Sequence, residues 1–470
     1  MKDSKEMRRK QTTPTEVEDS LHEVDVEHRG KAEVLSISPA SERRKDDIQE
    51  VGDDLLKRIL NKDNLNLAYK RVVSNKGSQG VDGMKVDELL PFLKQNGEAL
   101  RQSILTGGYN PQPVRRVEIP KPDGGVRLLG IPTVVDRLIQ QAIAQELNKI
   151  FDSDFSGSSY GFRPNRSAHQ AIIAAREYIK QGYRWTVDID LEKFFDKVNH
   201  DKLMSMVARK VKDKRVLRLI RQYLESGIML EGVKVKSEEG TPQGGNLSPL
   251  LANIMLDDLD KELEKRGHRH CRYADDCNIY VKSERAGERV MRSITHFIEE
   301  VLKLKINRTK SAVDRPSKRK FLGFSFYIKN GEVRNFIHRK PVQRYKKKVM
   351  KVTARSNGRS MEWRKEALNY LITGWVNYFR IADMKIVAEQ LDQWTRRRIR
   401  MCYWKQWKKI KTKHNELVKL GIESGKAREF ANSRKGCWRI SNSYILSTSL
   451  TNKYLEEQGF LSLTKRLFMC

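Results

Sequence analysis

Apolar positions along the chain fall into stretches of two spacings. Leu55, Leu56, Ile59, Leu60, Leu67 and Ala68 repeat at helical spacing within Asp53 to Arg71. Val135, Leu138, Ile139, Ala142, Ile143 and Leu147 do the same within Val134 to Phe151, and Val290, Ile294, Phe297, Ile298 and Val301 within Glu288 to Leu302. A further helical region runs through Val207 to Leu224, and Ser248-Pro249 opens another apolar stripe with proline at its start. Between these lie runs of period two. Val114 to Pro132 reads as a hairpin with its tip at Pro122 to Gly125. Trp185, Val187, Ile189 and Leu191 alternate with Thr186, Asp188 and Asp190, which predicts a strand with two carboxylates on one face. Cys271 to Tyr280 predicts two short strands meeting at Tyr-Ala-Asp-Asp, and Leu304 to Val313 a strand and turn bearing Lys310. Asn330-Gly331 between two apolar-aromatic runs predicts a type I′ hairpin over Phe321 to Ile337. Beyond Arg339 the pattern is helical, with Leu368, Leu371, Trp375 and Tyr378 spaced as a buried stripe.

Charge narrows the partners. Of 470 residues, 92 are Lys or Arg and 60 are Asp or Glu, a formal net charge of +32. Such a field attracts polyanions, so nucleic acid leads and an anionic membrane surface follows. The excess is concentrated: Arg315 to His414 holds 28 cations against 6 acids. Residues 1 to 50 mix both signs with few aromatics and predict a disordered leader. No apolar run reaches the roughly 20 residues of a membrane span, and the N-terminus has no secretory h-region. The expectation is a cytoplasmic protein. The five cysteines, Cys271, Cys277, Cys402, Cys437 and Cys470, contain no CxxC pair, so neither disulfides nor a zinc site is expected. His268, His270 and Cys271 are read as ordinary strand and loop residues.

The candidate chemistry begins at Asp275-Asp276. Adjacent carboxylates in a tight turn repel unless a cation is held there, and carboxylate oxygens are the ligands Mg²⁺ prefers. A face carrying Asp188 and Asp190 poses the same problem, because burying acids is costly unless they meet metal or neighbouring cations; strand logic does not choose between them. Lys121 and Arg127 flank the first hairpin tip and could grip a triphosphate. The glycine-rich stretch Gly77 to Gly83 could approach a partner closely. Arg163 and Arg166, set among Tyr160 and Phe162, suit single-stranded nucleic acid, and Ser167 is a candidate N-cap. Pro242, Gly244 and Gly245 present Gln243 on a turn. Arg396, Arg397, Arg398 and Arg400, with Lys405, Lys408 and Lys409, recur on a helix that already has its core stripe, and read as a nucleic-acid-facing surface.

DIDLEKFFD, TPQGG, YADD, NRTK and KFLGFSFY, in this order, resemble the successive fingers and palm motifs of reverse transcriptases. GSQGVDG, IPKPDGGVRLLGIP and YGFRPNRS resemble those of bacterial group II intron-encoded proteins, and the basic, Trp-rich region with GWVNYF resembles their thumb, or maturase, domain. The resemblance covers about residues 55 to 415. It implies an α+β right-hand polymerase, with fingers and a palm built on a ferredoxin-like antiparallel sheet, plus a helical thumb. The expected divisions are a leader 1–50, an N-terminal extension and fingers 51–184, a palm 185–340, a thumb 341–415 and a basic DNA-binding segment 416–470. It further implies RNA-directed DNA polymerase activity with two Mg²⁺ ions, and binding of the intron RNA to promote splicing and mobility. The partners are intron RNA, an RNA template with a DNA primer, dNTPs and target DNA, with no membrane, and the setting is a bacterial ribonucleoprotein or nucleoid.

Carried over by position, Asp190, Asp275 and Asp276 resemble the catalytic carboxylates, with the Leu191 carbonyl a further metal ligand. Spacing to Phe195, which matches the gate that would clash with a ribose 2′-hydroxyl, selects Asp190 over Asp188. Lys121 and Arg127 match triphosphate-binding positions, Gln243 lies over the nascent pair and Lys310 meets the pyrophosphate. No histidine follows His414, so the chain resembles the class without an HNH endonuclease. The alternatives are a reverse transcriptase of a retron or defence system, and an RNA-binding splicing factor without polymerase activity.

Overall fold

The computed structural model describes residues 54–120, 124–230, 233–235, 239–241 and 244–469. The contacts divide the chain into two compact units, one of residues up to 175 with 185–313, the other of 176–184 with 314 onwards.

The first unit contains two four-stranded sheets. In one, β1 (Val114–Pro120) pairs antiparallel with β2 (Val126–Ile131) and parallel with β4 (Ile228–Leu230), and β4 pairs with β5 (Val233–Val235). In the other the order is β6-β7-β3-β8, from Arg269–Tyr273, Asp276–Val281, Trp185–Ile189 and Ala312–Asp314. Chain order through that sheet is strand, helices, two hairpinned strands, helix, strand, with the first strand between the third and the fourth. That is the ferredoxin-like arrangement expected of the palm. Helices Ser248–Lys265 and Glu284–His296 belong to this array, and a continuous core from Leu55 to Ile306 lies beneath.

Three predicted helices differ in detail. The Asp53 to Arg71 stripe is two helices, Leu55–Ile59 and Lys62–Ser74, broken where the Asn61 side chain accepts from the Asp63 amide at 2.8 Å. The break shifts the helical phase, and Leu67 faces solvent. The Val207 to Leu224 region is likewise two helices, His200–Ala208 and Lys214–Glu225, the second capped by Asp213. The helix from Glu284 ends in a wide π turn, Phe297–Val301, which rotates the predicted core residue Val301 outward.

The second unit is helical apart from the hairpin of β9 (Phe324–Lys329) and β10 (Glu332–Ile337), turned at Asn330-Gly331 as predicted. This hairpin groups with the helical unit rather than with the palm expected to run to 340. The reason is aromatic packing: the buried Phe324 ring lies 5.6 Å from Tyr378 and 5.1 Å from Phe379 on helix Met361–Phe379. The Tyr378 hydroxyl also donates to the Leu322 carbonyl at 2.7 Å. The segment after 415 shares a core with the preceding helix, Trp404 and Trp407 packing with Leu417, Ala427, Ile440, Leu446 and Leu450. Residues 1–50, Lys121, Gln243 and Cys470 lie outside the described residues. Among the described residues no helix is long and apolar enough to cross a membrane.

Candidate active site

Two strand ends of the palm sheet bring the acids together. β3 and β7 are antiparallel with Ile189 opposite Cys277, so the next step of the same register sets Asp190 across from Asp276. β6 and β7 are joined by a two-residue turn, Ala274-Asp275, inside the pair Tyr273 and Asp276. Ala274 takes a left-handed φ of 57° to close it, a conformation that an L-residue holds only when its surroundings enforce it. Asp188 sits two pairs deeper than Asp190, opposite Asn278. The strand end therefore distinguishes Asp190 from Asp188, which alternation could not do.

The Asp190 backbone is pinned on both sides. Its amide donates to Ser311 Oγ at 3.0 Å, and its carbonyl accepts from the Asn307 amide at 2.8 Å. With Glu192 N donating to Lys305 O at 2.8 Å, these bonds flank the bridge between Leu191 and Ile306. In an antiparallel pair of this kind the bridged residues point their own polar groups away from each other, so the Leu191 carbonyl is turned from that neighbour.

Burial pushes the Asp275 carboxyl above its ordinary value, the nearby charge of Asp190 adds to the effect, and Arg127 and Arg272 oppose it. A half-buried acid raised in this way is one that a bound cation would stabilise. Lys310 Nζ stands 3.5 Å from Asp190 Oδ2, so a cation already lies at the mouth of the cluster. The donors are hard oxygens, as Mg²⁺ requires. Among the described residues no three acidic, His or Cys side chains stand close enough to hold a metal ion as they are.

Beneath the turn is an assembly that sequence reading missed. Arg272 is 1 % exposed and Asp260 not at all, with Nη2 and Oδ2 2.5 Å apart. The same guanidinium donates to Ser159 Oγ at 2.7 Å, to Asn253 Oδ1 at 3.0 Å and to the Ala274 carbonyl at 2.9 Å. Arg272 thus holds the acid-bearing turn from below. Burial works against the Asp260 charge, but Arg272 and His270 together outweigh it and keep the carboxyl below its ordinary value. Gly161 completes the support: a Cβ there would collide with the Ala274 amide nitrogen, and its carbonyl accepts from Asn253 Nδ2 at 2.8 Å. In sequence Arg272 is one cation among 92, and only its place on β6 marks it.

The remaining site residues fall into two groups. Arg127 stands exposed on β2 opposite Ile119. Phe195 is half-buried in the short turn Phe194–Asp196, its ring 5.1 Å from that of Phe194. Arg166 is exposed, 5.6 Å over the Tyr160 ring, and Ser167 caps the next helix through the Gln170 amide at 3.3 Å. Lys405, Lys408 and Lys409 are exposed. Other cations are committed to the fold, which departs from their expected role in binding nucleic acid. Arg163 is buried, bonded to Asp152 at 2.7 Å and to the Ser156 carbonyl at 2.6 Å. Arg397 lies 3.8 Å over the Trp438 ring, and Arg398 donates to Thr353 Oγ1 at 2.6 Å. Arg400 donates to the Leu450 carbonyl at 2.8 Å, while Arg396 stays half-exposed. The glycine-rich loop is also held internally, with Arg137 and Arg115 donating to the carbonyls of Ser78 and Gln79 at 2.7 and 3.0 Å.

A ferredoxin-like palm with acids at adjacent strand ends is the architecture of a nucleic-acid polymerase. The family described as reverse transcriptase (RNA-dependent DNA polymerase) matches residues 119–326, and the group II intron maturase-specific domain matches residues 342–421. Protein YkfC of Escherichia coli K12 is 34% identical over 299 residues, covering 55% of this chain and 78% of that protein. The group II intron-encoded protein LtrA of Lactococcus lactis is 40% identical over 223 residues, 47% of this chain and 37% of LtrA. A putative COX1/OXI3 intron 2 protein of Saccharomyces cerevisiae is 35% identical over 204 residues, 43% of this chain and 23% of its own length. The chain belongs to the reverse transcriptases that carry a group II intron maturase domain. The maturase match favours an intron protein over a retron or defence enzyme. The chain spans well under half of LtrA and of the yeast protein.

Proposed function

We propose that this chain is an RNA-directed DNA polymerase that binds a group II intron RNA, assists its splicing and copies RNA into DNA from a DNA primer using dNTPs. Asp190, Asp275, Asp276 and the Leu191 carbonyl would hold two Mg²⁺ ions. When bound, such ions lower the pKa of an attacking hydroxyl and offset the charge of a leaving pyrophosphate. The observation that carries this reading is Asp190 at the end of β3 beside the Ala274-Asp275 turn, with that turn anchored on a fully buried arginine. Lys310, 3.5 Å from Asp190, would transfer to the pyrophosphate of an incoming nucleotide, and Arg127 would hold its triphosphate. Phe195 excludes the 2′-hydroxyl. The exposed cations of the helical unit, Lys405, Lys408 and Lys409 with Arg396, would bind intron RNA and target DNA through phosphates.

The test is primer extension on poly(rA)/oligo(dT) with the double variant Asp275→Ala, Asp276→Ala. Loss of DNA synthesis with intron binding retained supports the assignment. Mg²⁺-dependent synthesis by that variant would sink it. If the unaltered chain incorporates nothing with Mg²⁺ or Mn²⁺ yet binds the intron, it is an RNA-binding splicing factor.

A further inference from the structure

A steric gate discriminates only if the wall cannot yield, because a ring that shifts by about 1 Å admits the group it should exclude. Phe195 stands in a single 3₁₀ turn entered through Lys193 at a left-handed φ of 47°. A turn that short is not rigid by itself. Its rigidity comes from a second segment, residues 239–241. The Phe195 carbonyl accepts from the Thr241 amide at 2.6 Å, and the Val198 carbonyl from the Gly240 amide at 2.8 Å. Asn199 and Glu239 form an antiparallel bridge.

Gly240 cannot be replaced without moving this assembly. Its φ is +91°, and a Cβ would fall 2.8 Å from the Phe195 carbonyl oxygen and 2.9 Å from the Asp196 carbonyl carbon. The Gly240 carbonyl accepts from Nε2 of the buried His200 at 2.6 Å. Phe195, Gly240 and Thr241 line one recess of about 140 Å³ together with Leu129 and Gly130 of β2, the strand that carries Arg127.

We propose that Gly240, Thr241 and His200 are positioning residues for the Phe195 gate, and that this strap sets the preference for deoxynucleoside over ribonucleoside triphosphates. His200 acts through Gly240, and Gly240 and Thr241 act through the Phe195 backbone. The proposal rests on the polymerase reading above and adds the parts that hold the gate.

The experiment uses the full chain on a heteropolymeric RNA template with a DNA primer, comparing kcat/KM for a single insertion of dATP with that of ATP. Phe195→Val is the reference and is expected to use ATP readily. Gly240→Ala and His200→Leu are expected to lower the dATP preference about tenfold, with kcat for dATP within a few-fold of the parent. His200→Gln, whose amide nitrogen can donate to the same carbonyl, is expected to restore the preference. A merely structural histidine would change thermal stability and total activity but leave the ratio alone. If Phe195→Val loses discrimination while Gly240→Ala and His200→Leu keep the parental ratio, the strap is not what sets the gate. Should Gly240→Ala fail to fold, the His200→Leu and His200→Gln pair decides by the same ratio. Failure of the polymerase reading looks different, since the parent chain itself would then insert no dATP, and the proposal would fall with it.

Discussion

In the first unit Asp190 ends a strand beside the turn that carries Asp275, the Asp275 carboxyl raised by burial and the Asp190 carboxyl 3.5 Å from an exposed lysine. In the second unit Arg397, Arg398 and Arg400 turn back on the protein, onto a tryptophan ring, a threonine hydroxyl and a carbonyl. Both clusters stand out in sequence as runs of like charge. The fold half-buries Asp275 so that its charge is disfavoured, and gives the arginines hydrogen-bond acceptors and a ring. A charge cluster is a functional site where the surroundings leave its charges under-compensated, and a structural one where carbonyls and rings already satisfy them.

This contrast can be broken or sharpened. The largest effect is expected from Asp275→Asn with Asp276→Asn, which should reduce DNA synthesis at least about a thousandfold while leaving the thermal midpoint unchanged or higher, as removing the Asp275 charge that burial disfavours predicts. A strongly lowered midpoint would mean the turn acids are structural.

Arg272→Met should be severe in the opposite sense. It leaves Asp260 buried without its cation, at a cost of about 3–5 kcal/mol, read from denaturant midpoints. The Asp260 carboxyl is held below its ordinary value in the folded chain. Its contribution is therefore complete above the ordinary carboxylate pKa of about 3.9 and is lost as pH falls through the lower folded value. Acid titration of stability should show that loss in the parent, and it should be absent in the double variant Asp260→Asn, Arg272→Met.

Smaller effects should separate the two kinds of basic residue. Arg398→Ala and Arg400→Ala are each expected to lower stability by about 1–2 kcal/mol, with the salt dependence of intron RNA binding unchanged. Lys408→Ala and Lys409→Ala should leave stability within about 0.5 kcal/mol and each reduce the slope of log affinity against log salt by about one. The reverse pattern would show that the arginines, not the lysines, meet phosphate.

Much of this protein was determined by its sequence. Alternation and turn residues placed β3, the Asp275-Asp276 turn and the Asn330-Gly331 hairpin, because strand period and tight-turn chemistry are local properties of the backbone. Ordered motifs identified the family and pointed to the acids. What only tertiary structure decided is non-local. The position of Asp190 across from Asp276 at the strand end, the internal bonding of Arg163, Arg397, Arg398 and Arg400, and the grouping of the 324–337 hairpin with the helical unit all depend on partners distant in the chain. So do the support of the Ala274 turn by Arg272, Asp260 and Gly161, and the hold of Gly240 and His200 on Phe195. A buried arginine and a solvated one have the same side chain, and only the carbonyls and carboxylates that the fold brings to it determine which it becomes.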